Sequence, residues 1–360
     1  MLLYAFLFFY LAQAPQPRNL LQRGLLNLQH GDLAQAREDL EEASRSDPRN
    51  PFVWSSLAET YLRLNDREDA MSAAAKAEKL GSGNPVVGHA LAIFFLTAGD
   101  AASGLRCAET AAETKPSAAN LDLLGRALIA NGKPKDGISQ LDSAWNQAQT
   151  DPQISFDYAD ALLHAEDFTR AADVLTSALE AHPENAQLTV ALGVARYGQR
   201  RFEDAIVLFL KTIKLAPDAQ QPYVFLGKML DQAGSHLPEI TAGYERWAAA
   251  NPDDARAELL LAKALLTVDP RSERALELLK KSVTLDPKDW EAHYELGVLL
   301  EGKHDYAAAA TELSAATELE PNQPMPHYHL ARVYDRLGKP ERAKAEREIH
   351  ERLTAPKKPN

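Results

Sequence analysis

The chain has 360 residues, of which 45% are hydrophobic and 25% are charged, a composition typical of folded proteins and not of disordered ones. Its 51 acidic and 39 basic residues give a net charge of −12, which disfavours broad binding to nucleic acid. The one cysteine excludes both an internal disulfide and a cysteine-based metal site.

Residues 1–14 contain an apolar run that is too short to span a bilayer. The run ends at Leu11 and holds ten apolar residues after the initiator, whereas a transmembrane helix needs about 20. An Ala-Gln-Ala sequence follows at residues 12–14, so the segment fits a signal peptide and predicts export to a periplasmic or extracellular location. No Lys or Arg precedes the run, and Pro15 would hinder cleavage. A short hydrophobic tether, on a membrane-tethered or cytoplasmic protein, is the alternative.

A first helix pair is predicted between residues 20 and 48. Gly31-Asp32 supplies a turn, and Ala36 and Leu40 are spaced as on one face of a helix. The acidic residues Glu38-Asp39 are expected on the solvated face of that helix. The pair lacks the aromatic residues of the next copy, as terminal repeats often do.

The stretch from Pro51 to Ser82 is the clearest copy of the pattern. Asn65-Asp66 supplies its turn and the N-cap of a second helix. Spacings of three and four residues place two sets of side chains on helical stripes: Trp54, Leu57, Ala58 and Tyr61 on the first helix, and Ala70, Ala74 and Ala77 on the second. Two such helices cannot bury their apolar faces alone, so copies must stack.

This stretch resembles a tetratricopeptide repeat, a helix-turn-helix unit of about 34 residues with the signature W-x2-L-G-x2-Y, then A-x3-F and a closing proline. Ala58 replaces the glycine. The closing prolines, with Ser82 filling one gap, are Pro48, Pro116, Pro152, Pro183, Pro217, Pro252, Pro287 and Pro321. The resemblance implies an all-α fold, a right-handed α-solenoid of about nine to ten helix pairs. It would occupy residues 18–353, before a polar tail at 354–360. The absence of alternating β-branched runs also favours the all-α class.

One later unit departs from the family pattern. Leu226-Gly227 opens it, but the run from Gly234 to Pro238 replaces a tight turn. Trp247 stands where a small residue is expected. We therefore predict a local distortion of the helix pair near residues 231–252.

Several catalytic patterns nearly match, and each lacks a residue that its mechanism needs. Residues 297–303 fit a P-loop, but His304 stands where a magnesium-binding Ser or Thr is required. His350-Glu351 begins a zinc-protease motif, but Thr354 replaces the second histidine. His327 and His329 lie on different helix faces with no carboxylate placed to complete a metal site, so they are expected to be packing or surface residues.

Cys107 lies among alanines on a predicted second helix and is expected to be a buried, unreactive thiol. No catalytic, cofactor or metal-binding constellation remains. The chain is therefore predicted not to be an enzyme, and no cofactor or metal is expected.

A second stripe on each first helix faces away from the stack. In tetratricopeptide proteins such stripes line a concave groove that holds a peptide. The resemblance therefore implies these groove residues: Ile93, Leu96, Arg126, Phe156, Val190, Val194, Tyr197, Val224, Lys228, Leu259, Lys263, Tyr294 and Arg332. Alternatively, some of them pack against neighbouring first helices.

Two ligand modes of the family are disfavoured. Members that bind chaperone tails use a clamp of lysines and asparagines, and sugar-transferase members use an asparagine ladder. The corresponding positions hold no asparagine: they are Ser56, Ala90, Leu123, Asp157, Ala191, Phe225, Leu260, Glu295 and His329. An amphipathic segment suits the stripe better.

The sequence thus predicts a non-catalytic scaffold that binds a protein or peptide partner in the concave groove, and no nucleic acid. A cell-envelope or secretory assembly is its predicted setting, with membrane proximity through the N-terminal segment. The alternative is a module that positions a substrate for a separate enzyme, such as a transferase or protease.

Overall fold

The computed structural model describes residues 20–355, which contain twenty α-helices, two short 3-10 helices and no β-strand. The helices form ten consecutive pairs of a first and a second helix. The predicted all-α solenoid of helix pairs is confirmed. The predicted signal segment at residues 1–14 and most of the predicted tail lie outside the described residues.

The pairs belong to two compact units, which divide between Pro183 and Glu184. The first unit contains α1 (Leu20–His30), α2 (Leu33–Ser46), α3 (Pro51–Arg63), α4 (Arg67–Leu80), α5 (Pro85–Thr97), α6 (Ala101–Thr114), α7 (Ala118–Ala130), α8 (Pro134–Gln147), α9 (Pro152–His164) and α10 (Phe168–Ala181). The second unit contains α11 (Ala186–Gly198), α12 (Phe202–Leu215), α13 (Gln220–Gly227), α14 (Leu237–Ala250), α15 (Ala255–Val268), α16 (Glu273–Leu285), α17 (Trp290–Gly302), α18 (Tyr306–Leu319), α19 (Pro324–Arg336) and α20 (Pro340–Thr354). Within each unit, every pair packs against the next one.

The turns inside the pairs follow a shared local rule. A residue with positive φ stands two residues before the start of the second helix in eight of the ten pairs: Gly31, Asn65, Gly99, Gly132, Glu166, Arg200, His304 and Gly338. An aspartate often follows it as the N-cap. Asp100, for example, accepts a hydrogen bond from the Ser103 backbone N–H at 3.0 Å. The cap satisfies a backbone donor that the first turn of the helix leaves unpaired.

Small residues let the two helices of a pair approach closely. The extreme case is α7 with α8, where a Cβ built on Gly137 would lie 2.6 Å from the carbonyl oxygen of Gly125. In α3 and α4, Ala58 and Ala70 are likewise fully buried. Cys107 on α6 is buried as predicted, and burial raises the pKa of its thiol to about 11.

The predicted distortion is present, but it affects the first helix and the turn of its pair. Helix α13 ends after eight residues, and two 3-10 helices follow at Leu230–Gln232 and Gly234–His236. The prediction is wrong for α14, which is a regular helix. Trp247 is buried there because its ring stacks on Tyr223, with 4.7 Å between the centroids.

Asp39 corrects the expectation of a solvated acidic face on α2. It is 1% exposed and accepts hydrogen bonds from Arg23 Nε and Asn27 Nδ2, both at 2.9 Å. The hydrogen bond from Arg23 holds the pKa of Asp39 below its usual range.

Within residues 20–355, each helix is either too short or too polar to cross a membrane.

Candidate protein-binding surface

The first helices of three successive pairs enclose an open, mostly apolar cavity of about 350 Å³ in the first unit. Leu25 of α1, Leu62 of α3, and Ile93 and Phe94 of α5 contribute apolar lining. Ile93 was predicted from the sequence to face the groove, and it lines this cavity. Leu96 is half-buried and lies against Gly104 of its own helix pair, where a Cβ would approach it to 2.9 Å.

A charge cluster occupies the next part of this face, between α7 and α9. Arg126 Nη1 lies 3.8 Å from Asp122 Oδ2 and 3.6 Å from Asp157 Oδ2. Gln153 donates hydrogen bonds from Nε2 to both oxygens of Asp157, at 3.0 and 3.1 Å. Arg126 is exposed as predicted, and Phe156 beside Asp157 is half-buried.

Burial dominates the electrostatics of this cluster. Burial, aided by the charge of Asp157, raises the pKa of Asp122 to about 8. Burial also raises the pKa of Asp157, although Arg126 opposes the shift. The Oδ1 atom of Asp122 is buried and has no hydrogen-bond partner within residues 20–355. A buried carboxylate that is incompletely paired is costly, so this group is poised to accept a proton or a cation.

In the second unit, the predicted groove residues of α11 form a half-buried apolar stripe. Val190, Val194 and Tyr197 pack against the core of this unit and remain partly accessible. The ring of Tyr197 meets that of Phe225 edge-on, with 5.3 Å between the centroids. The Nζ atom of Lys228 lies 5.3 Å from the Phe225 ring centroid, within the range of a cation–π contact. Val224 is half-buried, while Lys228 is exposed.

A polar pocket of about 420 Å³ lies at the early end of α13, beside this stripe. Its walls include Lys228, Asp231, Lys263 and Glu295. Gly227, where α13 ends, and Leu230 of the 3-10 segment that follows also line this pocket. The sequence predicted an irregularity here but no pocket.

The charges beside this pocket are closely paired. Glu291 contacts Lys263 Nζ and lies 3.0 Å from Arg256 Nη1. Burial alone would raise the pKa of Glu291, but these two cations outweigh it and lower the pKa. Glu295 Oε1 lies 3.6 Å from Lys263 Nζ, and burial raises the pKa of Glu295. Lys263 is therefore an ion-paired, half-buried residue.

Leu259 is the one predicted groove residue that the structure excludes from the surface. It is 0% exposed and belongs to the apolar core that includes Leu296 and Leu330. Helical periodicity placed it on the stripe, but the neighbouring helices cover it. Tyr294 is half-buried against His329, with 5.7 Å between ring centroids, and Arg332 is exposed.

The histidines of α19 do have carboxylate partners, contrary to the sequence-based expectation. His329 Nδ1 lies 2.7 Å from Glu301 Oε2, and His327 Nδ1 lies 2.6 Å from Glu346 Oε2. Reasoning within one helix missed these pairs because both glutamates come from other helices. One signal was present in the sequence: His327 and Glu346 follow His293 and Glu312 at one repeat interval, and that earlier pair is likewise in contact, at 2.7 Å. No metal-binding group of three or more ligands occurs in the described part of the chain.

The chain is similar to a known repeat family and to several known proteins. A model of the tetratricopeptide repeat family matches residues 21–85, 123–186, 156–222, 270–324 and 294–349, together more than half of the chain. Human protein O-mannosyl-transferase TMTC3 is 26% identical over 180 residues, covering 46% of this chain and 20% of TMTC3. The BBSome complex member BBS4 of Bos taurus is 25% identical over 287 residues, covering 70% of this chain and 55% of BBS4.

The chain thus spans between a fifth and about half of the length of these curated relatives. Among solved structures, Pseudomonas aeruginosa pilF superposes with a TM-score of 0.50 at 18% identity, covering 58% of this chain and 96% of that chain. At this identity, the likeness shows a shared fold.

Proposed function

This chain belongs to the tetratricopeptide repeat family, and we propose that it binds a peptide or protein segment along the first-helix faces of its units. Repeats of this family build protein–protein interaction scaffolds, because stacked helix pairs leave an extended face that recognises partners. We also propose that the protein is not itself catalytic and that the segment it binds on this face is amphipathic.

The cavity between α1, α3 and α5 carries this proposal. An open, mostly apolar space of about 350 Å³ on the surface of a folded unit suits an apolar side chain from a partner. Serines and the charged Glu59 and Arg63 also line it, so a partner segment would meet polar groups around an apolar anchor. That arrangement favours a segment with one apolar face.

The second unit supports the same proposal independently. Its stripe of Val190, Val194 and Tyr197 is half-buried in the free protein and adjoins the exposed cation Lys228. Half-buried apolar residues beside charges match the composition of an interface that a partner covers.

Groove variants test the proposal directly. We expect Ile93→Glu and Val194→Glu to abolish partner capture, because each places a charge on an apolar contact. Val207→Glu is the matched control, since Val207 is 49% exposed on the second helix α12. Partners are crosslinked in the native host and identified as peptides, and circular dichroism confirms that each variant is folded. Equal capture by folded groove variants and by the control would reject the first-helix face.

We further propose that the protein is exported and works in a cell-envelope or secretory assembly. The support is the apolar run and the Ala-Gln-Ala sequence within residues 1–14. Mass spectrometry of the mature N-terminus tests this proposal. Recovery of the intact Met1 form from the soluble fraction would count against export.

A second candidate function is a substrate-positioning module that works with a separate enzyme. The similarity to part of a protein named as an O-mannosyl-transferase favours it. If it is right, an enzyme activity co-purifies with the chain and falls in Ile93→Glu but not in Val207→Glu. A partner without such an activity leaves the plain scaffold as the better proposal.

A further inference from the structure

The two units hold charge clusters at equivalent repeat positions. Arg126 and Lys263 are each the ninth residue of a first helix, α7 and α15. Each faces the sixth residue of the next first helix, which is Asp157 in α9 and Glu295 in α17. The nitrogen-to-oxygen distance is 3.6 Å in both pairs. The same repeat geometry thus places a cation against an acid in both units.

The clusters differ in their second cation. In the second unit, Arg256 is the second residue of α15, and its Nη1 lies 3.0 Å from Glu291 and 3.5 Å from Asp289. The second residue of α7 is Ala119, which carries no charge. Asp151 is the N-cap equivalent of Asp289, so this aspartate is common to both clusters. Glu291 is the second residue of α17, and the equivalent residue of α9 is the uncharged Gln153, so the first unit lacks both Arg256 and the acid that Arg256 contacts most closely.

The first unit instead adds a buried acid. Asp122 is the fifth residue of α7, where α15 has the buried Leu259. Its side chain is 9% exposed, its Oδ2 lies 3.8 Å from Arg126, and its Oδ1 has no hydrogen-bond partner in residues 20–355. When both are ionised, two carboxylates that share one half-exposed guanidinium leave an excess of negative charge in a desolvated place.

We propose that the first unit binds a basic side chain of its partner, a lysine or an arginine, at the carboxylates of Asp122 and Asp157. The cation of the partner would supply a second positive charge to these two carboxylates, which share Arg126 at 3.8 and 3.6 Å. This inference rests on the proposed function, since it names the chemistry of one anchor in the bound segment. The apolar cavity at Ile93 and this acidic site lie on first helices of the same unit, so one segment with apolar and basic residues suits both.

The site predicts that binding is linked to a proton. The pKa of Asp122 near 8 means that much of the free protein carries a proton there at neutral pH. A bound cation favours the ionised form, so binding releases this proton. Affinity for a cation should rise with pH up to about pH 8 and level off above it.

Other charged groups around Asp122 do not change the direction of this pH dependence. Arg126 on α7 lowers the pKa of Asp122, whereas Asp157 of α9 and Asp151, the N-cap of α9, raise it. On α5, burial lowers the pKa of His89, whose Nδ1 lies 2.7 Å from Asn120 Oδ1. His89 is therefore neutral at neutral pH and above, where Asp122 titrates.

The test uses two end-blocked, leucine-rich peptides that differ at one central residue, lysine in one and the uncharged norleucine in the other. Calorimetry with the full chain should show tighter binding of the lysine peptide, by about tenfold at pH 8 and by less at pH 6. Asp122→Asn should remove this preference. Asp173→Asn, an exposed acid on α10, is the control that keeps the preference.

Equal affinity for the two peptides, including no binding of either, would overturn the assignment. So would a lysine preference that a folded Asp122→Asn variant retains. Free spermidine is a further arm: if it occupies the site more tightly than the lysine peptide does, the ligand is a small polyamine and the peptide assignment is wrong. If Ile93→Glu loses the native partner and Asp122→Asn keeps it, this site is rejected while the proposed scaffold function stands.

Discussion

Both units are built from helix pairs, but they differ in how their buried acids are paired with cations. In the second unit, Glu291 is held between Lys263 and Arg256, so this acid is paired with two cations of its own chain. In the first unit, Asp122 and Asp157 share Arg126 at 3.8 and 3.6 Å. A closely paired cluster mainly fixes structure, because a partner must compete with bonds already made. A cluster short of one cation can gain from a charged partner.

The faces of the two units also differ in how their cavities arise. The cavity at Ile93 lies between three regular first helices, and its lining is mostly apolar. The pocket at Asp231 lies where α13 stops at Gly227 and 3-10 segments follow. Regular stacking thus provides an apolar groove, whereas a local irregularity provides a polar one. The four predictions below test the contrast between the units.

The largest effect on stability is expected from placing an acid in the second unit at the position that Asp122 occupies in the first. Leu259→Asp should lower the free energy of unfolding by about 5 kcal/mol, because it removes a fully buried leucine and buries a carboxylate. Urea unfolding measures the change. Val207→Asp is the matched control on an exposed site, and it should cost less than about 1 kcal/mol. A small loss for Leu259→Asp would mean that this position tolerates an acid as α7 does.

Replacing the buried acid of the first unit with a neutral side chain should stabilise that unit, mainly at higher pH. Because the folded-state pKa of Asp122 is raised to about 8, its contribution to stability is fully present below about pH 4 and is lost as the pH rises to about 8. Asp122→Asn keeps a neutral side chain at every pH. We expect it to raise the free energy of unfolding by about 3 kcal/mol at pH 8.

Urea titrations at pH 5 and pH 8 check this sign. The advantage of Asp122→Asn should shrink at pH 5, where the wild-type carboxyl is mostly protonated in the folded state. A gain that is the same at both pH values would show that the carboxyl does not titrate between them.

Removing an acid from a paired cluster should have the opposite sign. Glu301 is 9% exposed and meets His329 Nδ1 at 2.7 Å and Arg332 Nη2 at 3.2 Å. Glu301→Gln should cost about 2 kcal/mol, because charge-assisted bonds are lost. Thermal unfolding compares it with Glu348→Gln, an exposed acid on α20. If Glu301→Gln stabilises the protein as Asp122→Asn does, the contrast between the units is wrong.

The smallest effect concerns the turns, which the units share. Arg200 has φ 60° before the second helix α12, a conformation that favours glycine. Arg200→Gly should raise stability by about 0.5–1 kcal/mol. Gly99→Ala should lower it by about 1 kcal/mol through backbone strain alone, since nothing lies within 4 Å of the added Cβ. Melting temperatures measure both; a change of the same sign in the two variants would contradict the shared turn rule.

Much of the candidate site could not be predicted from the sequence, and the reason is physical. Periodicity placed Ile93, Arg126 and Leu259 on the same kind of stripe; in the structure Ile93 lines a cavity and Arg126 is exposed, but Leu259 is buried. A helical stripe states which residues share a side of one helix. It does not state how far the next helices extend across that side.

The sequence by itself determined the helix pairs, their interval and most of their turns, because these follow from contacts within a few residues. Asn65-Asp66, the closing prolines and the small residues of each pair act locally, and they predicted an all-α solenoid. Only the tertiary structure decided which acids share a cation. The partners Asp122 and Asp157, or His327 and Glu346, come from different helices, and their distance depends on how those helices cross. Burial then set the pKa of Asp122, since the neighbouring helices remove the water that would stabilise its charge.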